Sequence, residues 1–163
     1  MGHSRIFQIS SRPIDREEWS EPSDYYENSD DFADYIGDRV DDDDKRDEDI
    51  GRLADTVKDV FTPAGRGVLA YRGREALMAF KQKWHDAIKA ATDELTVENM
   101  TKQMRLGRLS SLTEQTHLLS SYRVHIVNWT SCPLPLGELF EWAESILEEG
   151  DRVYIGAVID YHI

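Results

Sequence analysis

The feature that most constrains the fold of this chain is an acidic segment between residues 15 and 49. The segment contains seventeen acidic and four basic side chains, a formal charge of −13, which equals the net charge of the whole 163-residue chain. Repulsion among these acids opposes compaction. The rest of the chain carries balanced charge and is long enough to bury an ordinary hydrophobic core. Any compact fold must therefore keep the acids at its surface.

The acidic segment also contains aromatic and aliphatic side chains, which disordered acidic tails usually lack. They are Trp19, Tyr25, Tyr26, Phe32, Tyr35, Ile36 and Val40. The spacing of Phe32, Tyr35 and Ile36 is that of one helical face, and Ser29 can cap such a helix. We therefore expect a short helix over residues 30–36, docked by its apolar face with its acids outward. A solvated, partly disordered stretch is the alternative.

Outside the acidic segment, hydrophobic periodicity predicts both strands and helices. Strands are expected over residues 4–11, 67–72, 122–129 and 152–162, and helices over 45–61, 74–92, 99–106 and 136–147. Alternation in the last strand predicts that its apolar residues at odd positions lie on one face. Four strands without βαβ regularity favour an α+β fold, with a small, largely antiparallel four-stranded sheet covered by several helices. Residues 1–163 are expected to form a single domain, since no repeat or long linker interrupts them.

Cysteine content and hydropathy indicate the cellular compartment. The single cysteine, Cys132, cannot form an internal disulfide, which favours a reducing cytoplasm. No apolar run approaches the ~18–20 residues that a membrane span requires. The first residues also lack the pattern of a secretory signal. We therefore expect a cytoplasmic protein that does not bind membranes.

The sequence contains none of the common catalytic or nucleotide-binding motifs. GxGxxG, P-loop, HExxH, GxSxG and paired CxxC patterns are absent. The glycines of residues 65–73 are better explained by a turn beside a strand. Cys132 is seven residues from His125, and nothing fixes a nucleophile–base geometry between them. We predict no catalytic residue, no cofactor and no enzyme; an enzyme whose site a single sequence does not reveal is a third alternative.

Two groups of side chains are candidate metal ligands. His3, His125 and His162 lie on predicted strands and could meet across a sheet, but no histidine pair has the short helical spacing of a zinc site. The run Asp41–Asp44 is similar to a calcium ligand set, but the glycine and glutamate of an EF-hand loop are missing from their positions. We predict no metal site, and leave open a loose binding of divalent cations to the acidic run.

The acidic segment disfavours direct binding of nucleic acid, because a polyanion is repelled by carboxylates. Carboxylates on a folded surface can instead occupy a site built for phosphates. DNA carries one charge per ~1.7 Å of its axis, and a helix rises about 1.5 Å per residue, so an Asp-rich turn reaches a comparable charge density. The segment therefore predicts a partner protein with a basic nucleic-acid-binding site.

The candidate partner-binding residues are the acids of the second half of the segment and three aromatic residues. Tryptophan and tyrosine are included because interface hot spots favour them. The full set is Asp30, Asp31, Asp34, Asp38, Asp41, Asp42, Asp43, Asp44, Asp47, Glu48, Asp49, Trp19, Tyr25 and Tyr26.

In charge and size the chain resembles the acidic anti-restriction and anti-CRISPR proteins that phages and mobile elements use against host nucleases. The opening SRIFQIS of residues 4–10 and the closing YIGAVIDYH of residues 154–162 are also similar to small proteins carried on bacterial mobile elements. The resemblance implies a protein-binding inhibitor rather than an enzyme, with a basic protein such as a CRISPR or restriction nuclease as its partner. The alternative is an acidic adaptor or regulator that binds another basic protein.

Overall fold

A mixed sheet of seven strands forms the centre of the molecule. The computed structural model describes residues 2–118 and 120–163. The strands of this part of the chain are β1 (His3–Ser10), β2 (Tyr35–Arg39), β3 (Phe61–Gly65), β4 (Val68–Tyr71), β5 (Arg123–Ile126), β6 (Leu134–Pro135) and β7 (Arg152–His162). Their order is β3-β4-β7-β1-β5-β6, and β2 pairs with β7 beside β4. The pairing of β1 with β5 is parallel and the other pairings are antiparallel.

Three of the α-helices cover one face of the sheet, and the part of the acidic segment before residue 37 covers the other. The α-helices of the described residues are α1 (Asp43–Thr56), α2 (Arg74–Asp93), α3 (Gln103–Gln115) and α4 (Gly137–Ile146). Two 3₁₀ helices, Arg16–Glu18 and Pro22–Asn28, lie within the acidic segment. None of the helices in the described residues combines the length and apolar character needed to cross a membrane.

The two faces of the sheet bury separate hydrophobic cores. The main core lies between the sheet and α1, α2 and α4, and includes Phe7 of β1 and Leu53 of α1. A smaller second core lies on the opposite face and consists of Ile6, Tyr25, Ile36, Ala157, Ile159 and Tyr161, with Trp19, Phe32 and Ala33 against it. Strands β1 and β7 are covered on both faces, which explains why almost every residue in their middle is buried.

The α+β class is confirmed and the sheet is largely antiparallel as expected, but the predicted number of four strands is wrong, because the sheet has seven. The four predicted strands are present as β1, β4, β5 and β7, although β5 ends at Ile126. Three further strands, β2, β3 and β6, join them. The hydrophobic pattern does not predict strand β3, because this strand lies at the edge of the sheet and contains Pro63, which only an edge strand tolerates.

The predicted helices are correct for α2 and α4 and displaced for the other two. The expected helix over residues 45–61 begins at Asp43 and ends at Thr56, because Val57 and Val60 turn the chain into β3 while remaining buried in the main core. The expected helix over residues 99–106 is found at Gln103–Gln115. This helix packs on α2 and buries none of its own residues. Its sequence therefore needs no strong apolar stripe, and hydrophobic periodicity does not define its ends.

Strand β7 contains a β-bulge that divides its apolar residues between the two cores. Phe7 pairs with Val158, whereas Ile9 pairs with Ile155, so β7 has one residue more than β1 across this interval. The residues before the bulge contact the main core, and Ala157 contacts the second core. The expectation that the odd positions of β7 share one face is therefore wrong.

The bulge coincides with a gap along the edge of β7. Strand β4 pairs with β7 only as far as Tyr154, and β2 pairs with it only from Ile159 onward. The guanidinium of Arg46 fills part of the gap, since it donates from Nη2 to the Ile155 carbonyl at 2.5 Å and from Nε to the Gly156 carbonyl at 3.1 Å. Burial lowers the pKa of this guanidinium. A side chain of α1 thus supplies hydrogen bonds that a neighbouring strand would otherwise make.

Replacing Arg46 by methionine keeps the aliphatic stem but leaves the Ile155 and Gly156 carbonyls without these donors. We expect Arg46→Met to lower the free energy of unfolding by about 2–4 kcal/mol. The matched substitution Arg52→Met removes an exposed guanidinium from the same helix and is expected to cost less than about 1 kcal/mol. Urea unfolding followed by circular dichroism measures both. Equal losses for the two variants would contradict the role given to Arg46.

Candidate partner-binding surface

The first half of the acidic segment folds with the help of its own carboxylates. At the first 3₁₀ helix, the carboxylate of Glu18 accepts from the backbone amide of Asp15 at 3.2 Å. At the second, the carboxylate of Asp24 accepts from the backbone amide of Glu21 at 2.8 Å, and Pro22 occupies the first helical position. Both contacts are the reciprocal half of a capping box. Some of the acids therefore stabilise local structure while remaining exposed.

Gln8 of β1 attaches this folded half to the centre of the sheet. Its side-chain oxygen accepts from the backbone amides of Ser20 and Ala157, each at 3.0 Å, and its side-chain nitrogen donates to the Glu18 carbonyl at 3.1 Å. A Cβ at Gly156 would lie 2.5 Å from the same Gln8 oxygen, so only glycine fits at this point of the bulge. The bulge and the acidic segment thus share one buried amide.

Trp19, a predicted partner anchor, faces the protein rather than solvent. Its ring packs against the second core and is half-buried. The guanidinium carbon of Arg46 lies 4.5 Å from the ring centroid, and that of Arg16 lies 5.2 Å away. These cation–π contacts join the acidic segment to α1. The structure therefore assigns Trp19 to the scaffold beneath the surface.

Of the two predicted tyrosine anchors, Tyr25 is buried and Tyr26 is exposed. The Tyr25 hydroxyl lies 2.9 Å from Nδ1 of His125 on β5. Burial raises the pKa of Tyr25 to about 12 and lowers the pKa of His125. The phenol is therefore protonated and can donate to a neutral imidazole. Tyr25 holds the segment to the sheet, and Tyr26 alone of the three predicted aromatic anchors is mainly exposed.

The predicted helix over residues 30–36 is wrong, although two of its apolar side chains do face the protein. Residues 30–32 form a turn, and β2 follows directly. Phe32 and Ile36 pack in the second core, whereas Tyr35 is exposed. Ile36 pairs with Tyr161 of β7. This pairing overrides the local helical pattern because it provides backbone hydrogen bonds to β2 and at the same time buries the Ile36 side chain.

The acidic side chains of residues 15–49 are displayed almost entirely to solvent. Fifteen of the seventeen are exposed, Asp47 is half-buried and Asp49 is buried. Asp49 accepts from Nε of Arg5 at 2.7 Å and therefore belongs to the interior of the fold. The structure thus excludes Asp49 from the accessible surface. The exposed members of the predicted acidic set are Asp30, Asp31, Asp34, Asp38, Asp41, Asp42, Asp43, Asp44 and Glu48.

Some of these exposed acids have cationic partners within the protein. Asp41 lies 2.8 Å from Nε of Arg39, Asp43 lies near both Arg16 and Arg66, and Glu48 pairs with Arg52. Others take part in none of the ion pairs formed among the described residues. They are Asp30, Asp31, Asp34, Asp38, Asp42 and Asp44. We name the exposed run Asp30, Asp31, Asp34 and Asp38 the acidic ridge. None of its four carboxylates forms an ion pair within the part of the chain that the structure describes.

An open groove of about 440 Å³ lies beside the acidic ridge, between β2 and the start of α1. Asp38, Asp41 and Asp42 line it on the side of the acidic segment, and Asp160 and His162 line it on β7. Basic side chains of the same groove are those of Arg5, Arg39 and Lys45. The groove therefore joins the acidic surface to the end of the central strands.

The far end of β7 holds a cluster that the sequence analysis assembled only in part. His3 and His162, but not His125, come together across β1 and β7, and Asp160 lies between them. His125 instead contacts Tyr25 on the opposite face. The sequence signal for this cluster is the DxH pattern of residues 160–162, because alternate positions share one face of a strand. The HxR pattern of residues 3–5 lies on the same face of the neighbouring strand.

No protein-family model, curated protein or solved structure matches this chain. Its function is therefore inferred from the charge, exposure and contacts of its own side chains.

The buried Tyr25–His125 contact makes stability sensitive to mild acid. Because the pKa of His125 is lowered in the folded protein, the unfolded chain binds a proton first as the pH falls below about 6.5, and folding stability declines. We expect the stability of the protein relative to a His125→Asn variant to fall between pH 7 and 5.5, by at most about 1.4 kcal/mol per pH unit. Urea unfolding at several pH values measures this difference. The exposed substitution His85→Asn is the control, and a His125 difference independent of pH would contradict the prediction.

Proposed function

We propose that this protein is a protein-binding inhibitor whose acidic surface occupies the basic nucleic-acid-binding site of a partner enzyme. Nucleases of the CRISPR or restriction type are the partner class that we propose. The observation that carries the proposal is an ordered array of exposed carboxylates, of which those of the acidic ridge form no ion pair among the described residues. A polyanionic ligand for a protein needs both properties: its charges must be accessible, and they must be held in place.

Order matters because a flexible acidic tail loses conformational entropy when it binds. In this protein the acidic segment has the acidic composition of such a tail, but it is attached to the sheet. Gln8 holds the residues before the ridge, and β2 pairs with β7 at its far end. The acidic ridge therefore lies between two fixed points. Its charges are presented with little further ordering required, which supports the comparison with a nucleic-acid backbone.

Electrostatics would also favour rapid and selective association. The whole net charge of −13 belongs to the segment that contains the ridge. A field of one sign on one surface steers a basic partner and raises the association rate, and added salt weakens this effect. Tyr26, an exposed aromatic beside the ridge in sequence, offers the kind of contact that hot spots favour. The proposal places Tyr26 at the edge of the contact.

A second candidate function is an adaptor that binds a partner through another surface. The observation that favours it is the apolar exposure around the start of α3, where the side chains of Val97 and Met104 are 91% and 88% exposed. Basic residues Arg105 and Arg108 lie in the same region and contact Glu94. A partner bound here would not need a basic nucleic-acid site.

A DNA-cleavage assay tests the proposal. An RNA-guided nuclease and several restriction enzymes are each titrated with the protein at low and at physiological salt. Neutralising the ridge by Asp30→Asn, Asp31→Asn, Asp34→Asn and Asp38→Asn is expected to weaken inhibition by about tenfold or more, because charge complementarity is lost. These four positions are chosen because they are exposed and their removal breaks no ion pair among the described residues.

The control variant removes four exposed acids from outside the segment: Asp55→Asn, Glu75→Gln, Asp86→Asn and Asp93→Asn. It changes net charge equally and is expected to change inhibition less than about threefold. Inhibition that survives neutralisation of the ridge, or equal effects of the two variants, would contradict the proposed surface. Absence of inhibition with every nuclease would reject the inhibitor function and favour the adaptor function. An adaptor that binds through the start of α3 is expected to lose its partner in the variant Met104→Glu.

A further inference from the structure

We propose that His3, Asp160 and His162 form a binding site for a divalent transition-metal ion such as Zn²⁺. The site lies at the open end of β1 and β7. Among the described residues, these three are the one group of His, Cys, Asp or Glu side chains whose ligand atoms converge, all within 4.8 Å of one another. This site is separate from the acidic ridge and is not needed for the inhibitor function.

The backbone register brings the three residues together. His3 pairs directly with His162 across the antiparallel β1 and β7, and Arg5 pairs with Asp160. Residues two apart in a strand point to the same face. These two alternate cross-strand pairs therefore place two imidazoles, one carboxylate and one guanidinium on one face of the sheet. Cross-strand partners lie about 4.5–5.5 Å apart at Cβ, which is close enough to share one ion.

Two of the three distances between the ligand atoms match those of a metal site. Oδ2 of Asp160 lies 3.1 Å from Nδ1 of His3 and 3.4 Å from Nε2 of His162. Two ligands bound at about 2.0–2.1 Å in tetrahedral geometry are about 3.3 Å from each other. Both imidazole nitrogens thus lie within 3.5 Å of the same carboxylate oxygen. A cation can bind between the three atoms with small side-chain adjustments.

The remaining contacts of the carboxylate orient it for this role. Its other oxygen, Oδ1, accepts from Nη1 of Arg5, and Arg5 in turn donates to the buried Asp49. Hydrogen bonds of this kind fix a ligating carboxylate and are part of many metal sites. The charge of Arg5 is offset by its two carboxylate partners. Asp49, which the sequence placed on the binding surface, thus holds Arg5 in position behind the site.

Access to the site is provided by Gly37 and by the exposure of His3. A Cβ at position 37 would lie 3.1 Å from Oδ2 of Asp160, so a larger side chain would crowd this oxygen. The site opens into the groove beside the acidic ridge, whose negative potential attracts cations. The His3 side chain is 61% exposed, and those of Asp160 and His162 are about one-fifth exposed. An ion can therefore enter from solvent.

The donor set determines the class of ion. Two imidazole nitrogens and one carboxylate oxygen suit Zn²⁺, Co²⁺, Ni²⁺ or Fe²⁺, whereas Ca²⁺ and Mg²⁺ prefer oxygen ligands. Three protein ligands also leave at least one position for water or for a group from another molecule. The site is thus distinct from loose cation binding to the run Asp41–Asp44, which offers oxygen ligands only.

Isothermal titration of the purified protein with Zn²⁺, repeated with Co²⁺ and its visible absorption, tests the site. We expect one equivalent to bind to the wild-type chain and at least a tenfold loss of affinity in His3→Ala and in His162→Ala. The Co²⁺ spectrum should show nitrogen coordination in the wild type and lose it in both variants. His3→Ala is the decisive variant, because its exposed side chain contributes little to the core, and circular dichroism checks that both variants fold.

Two controls separate the site from adventitious binding. His85 also contacts a carboxylate, Asp86 at 3.1 Å, but on the exposed surface of α2 with no second histidine, so His85→Ala should retain wild-type affinity. Neutralising Asp41–Asp44 to asparagine should also leave the one-equivalent site intact. The proposal is overturned if the wild type binds no Zn²⁺ at millimolar concentration, if His3→Ala binds as tightly as the wild type, or if His85→Ala or the neutralised run loses the site.

Discussion

The bulge in β7 is the constraint on which the rest of the structure depends. It lies where β2 and β4, which pair with the same side of β7, leave a gap between them, so it exposes backbone groups that the sheet does not pair. Gln8 accepts from the Ala157 amide, and Arg46 donates to the Ile155 and Gly156 carbonyls. Gly156 is required because a side chain there would strike Gln8. The same Gln8 amide binds Ser20, so the irregularity of the central strand is also the attachment point of the acidic segment.

This arrangement explains how a segment with so much negative charge can be ordered. Three of its aromatic residues face the protein: Trp19 packs against two guanidinium groups, Tyr25 contacts His125, and Phe32 packs in the second core. Its carboxylates point outward, where water reduces their repulsion. Burial of the apolar side chains opposes the electrostatic cost, and each class of residue occupies the side that suits it. The ordered acidic surface on which the proposed function rests is therefore a consequence of ordinary core packing.

The sequence predicted those features that depend on local pattern. Strands β1 and β7 and helix α2 have strong periodicity, and their positions are correct within a few residues. Of the three side chains expected to dock the acidic segment through a helix, Phe32 and Ile36 do pack in the second core, but from a turn and a strand, and Tyr35 is exposed. Features that depend on pairing between distant residues were missed: β2 forms because Ile36 meets Tyr161 across the sheet, although its local pattern is helical. The burial of Tyr25 and the meeting of His3 with Asp160 likewise require the register of the strands, which hydrophobic periodicity does not specify.

The central claim, that the acidic segment is fixed to the sheet, is tested most directly by native-state amide hydrogen exchange. The amides of Ser20 and Val40, which donate to Gln8 and to the Val158 carbonyl, report on the two ends of the segment, and that of Ala157 reports on the bulge. We predict that all three are protected and that the two segment amides exchange far more slowly than in an unfolded chain. Exchange of the Ser20 and Val40 amides at the unfolded rate, with the Ala157 amide still protected, would show that the acidic segment is mobile while the sheet is folded. That result would contradict its attachment to the sheet.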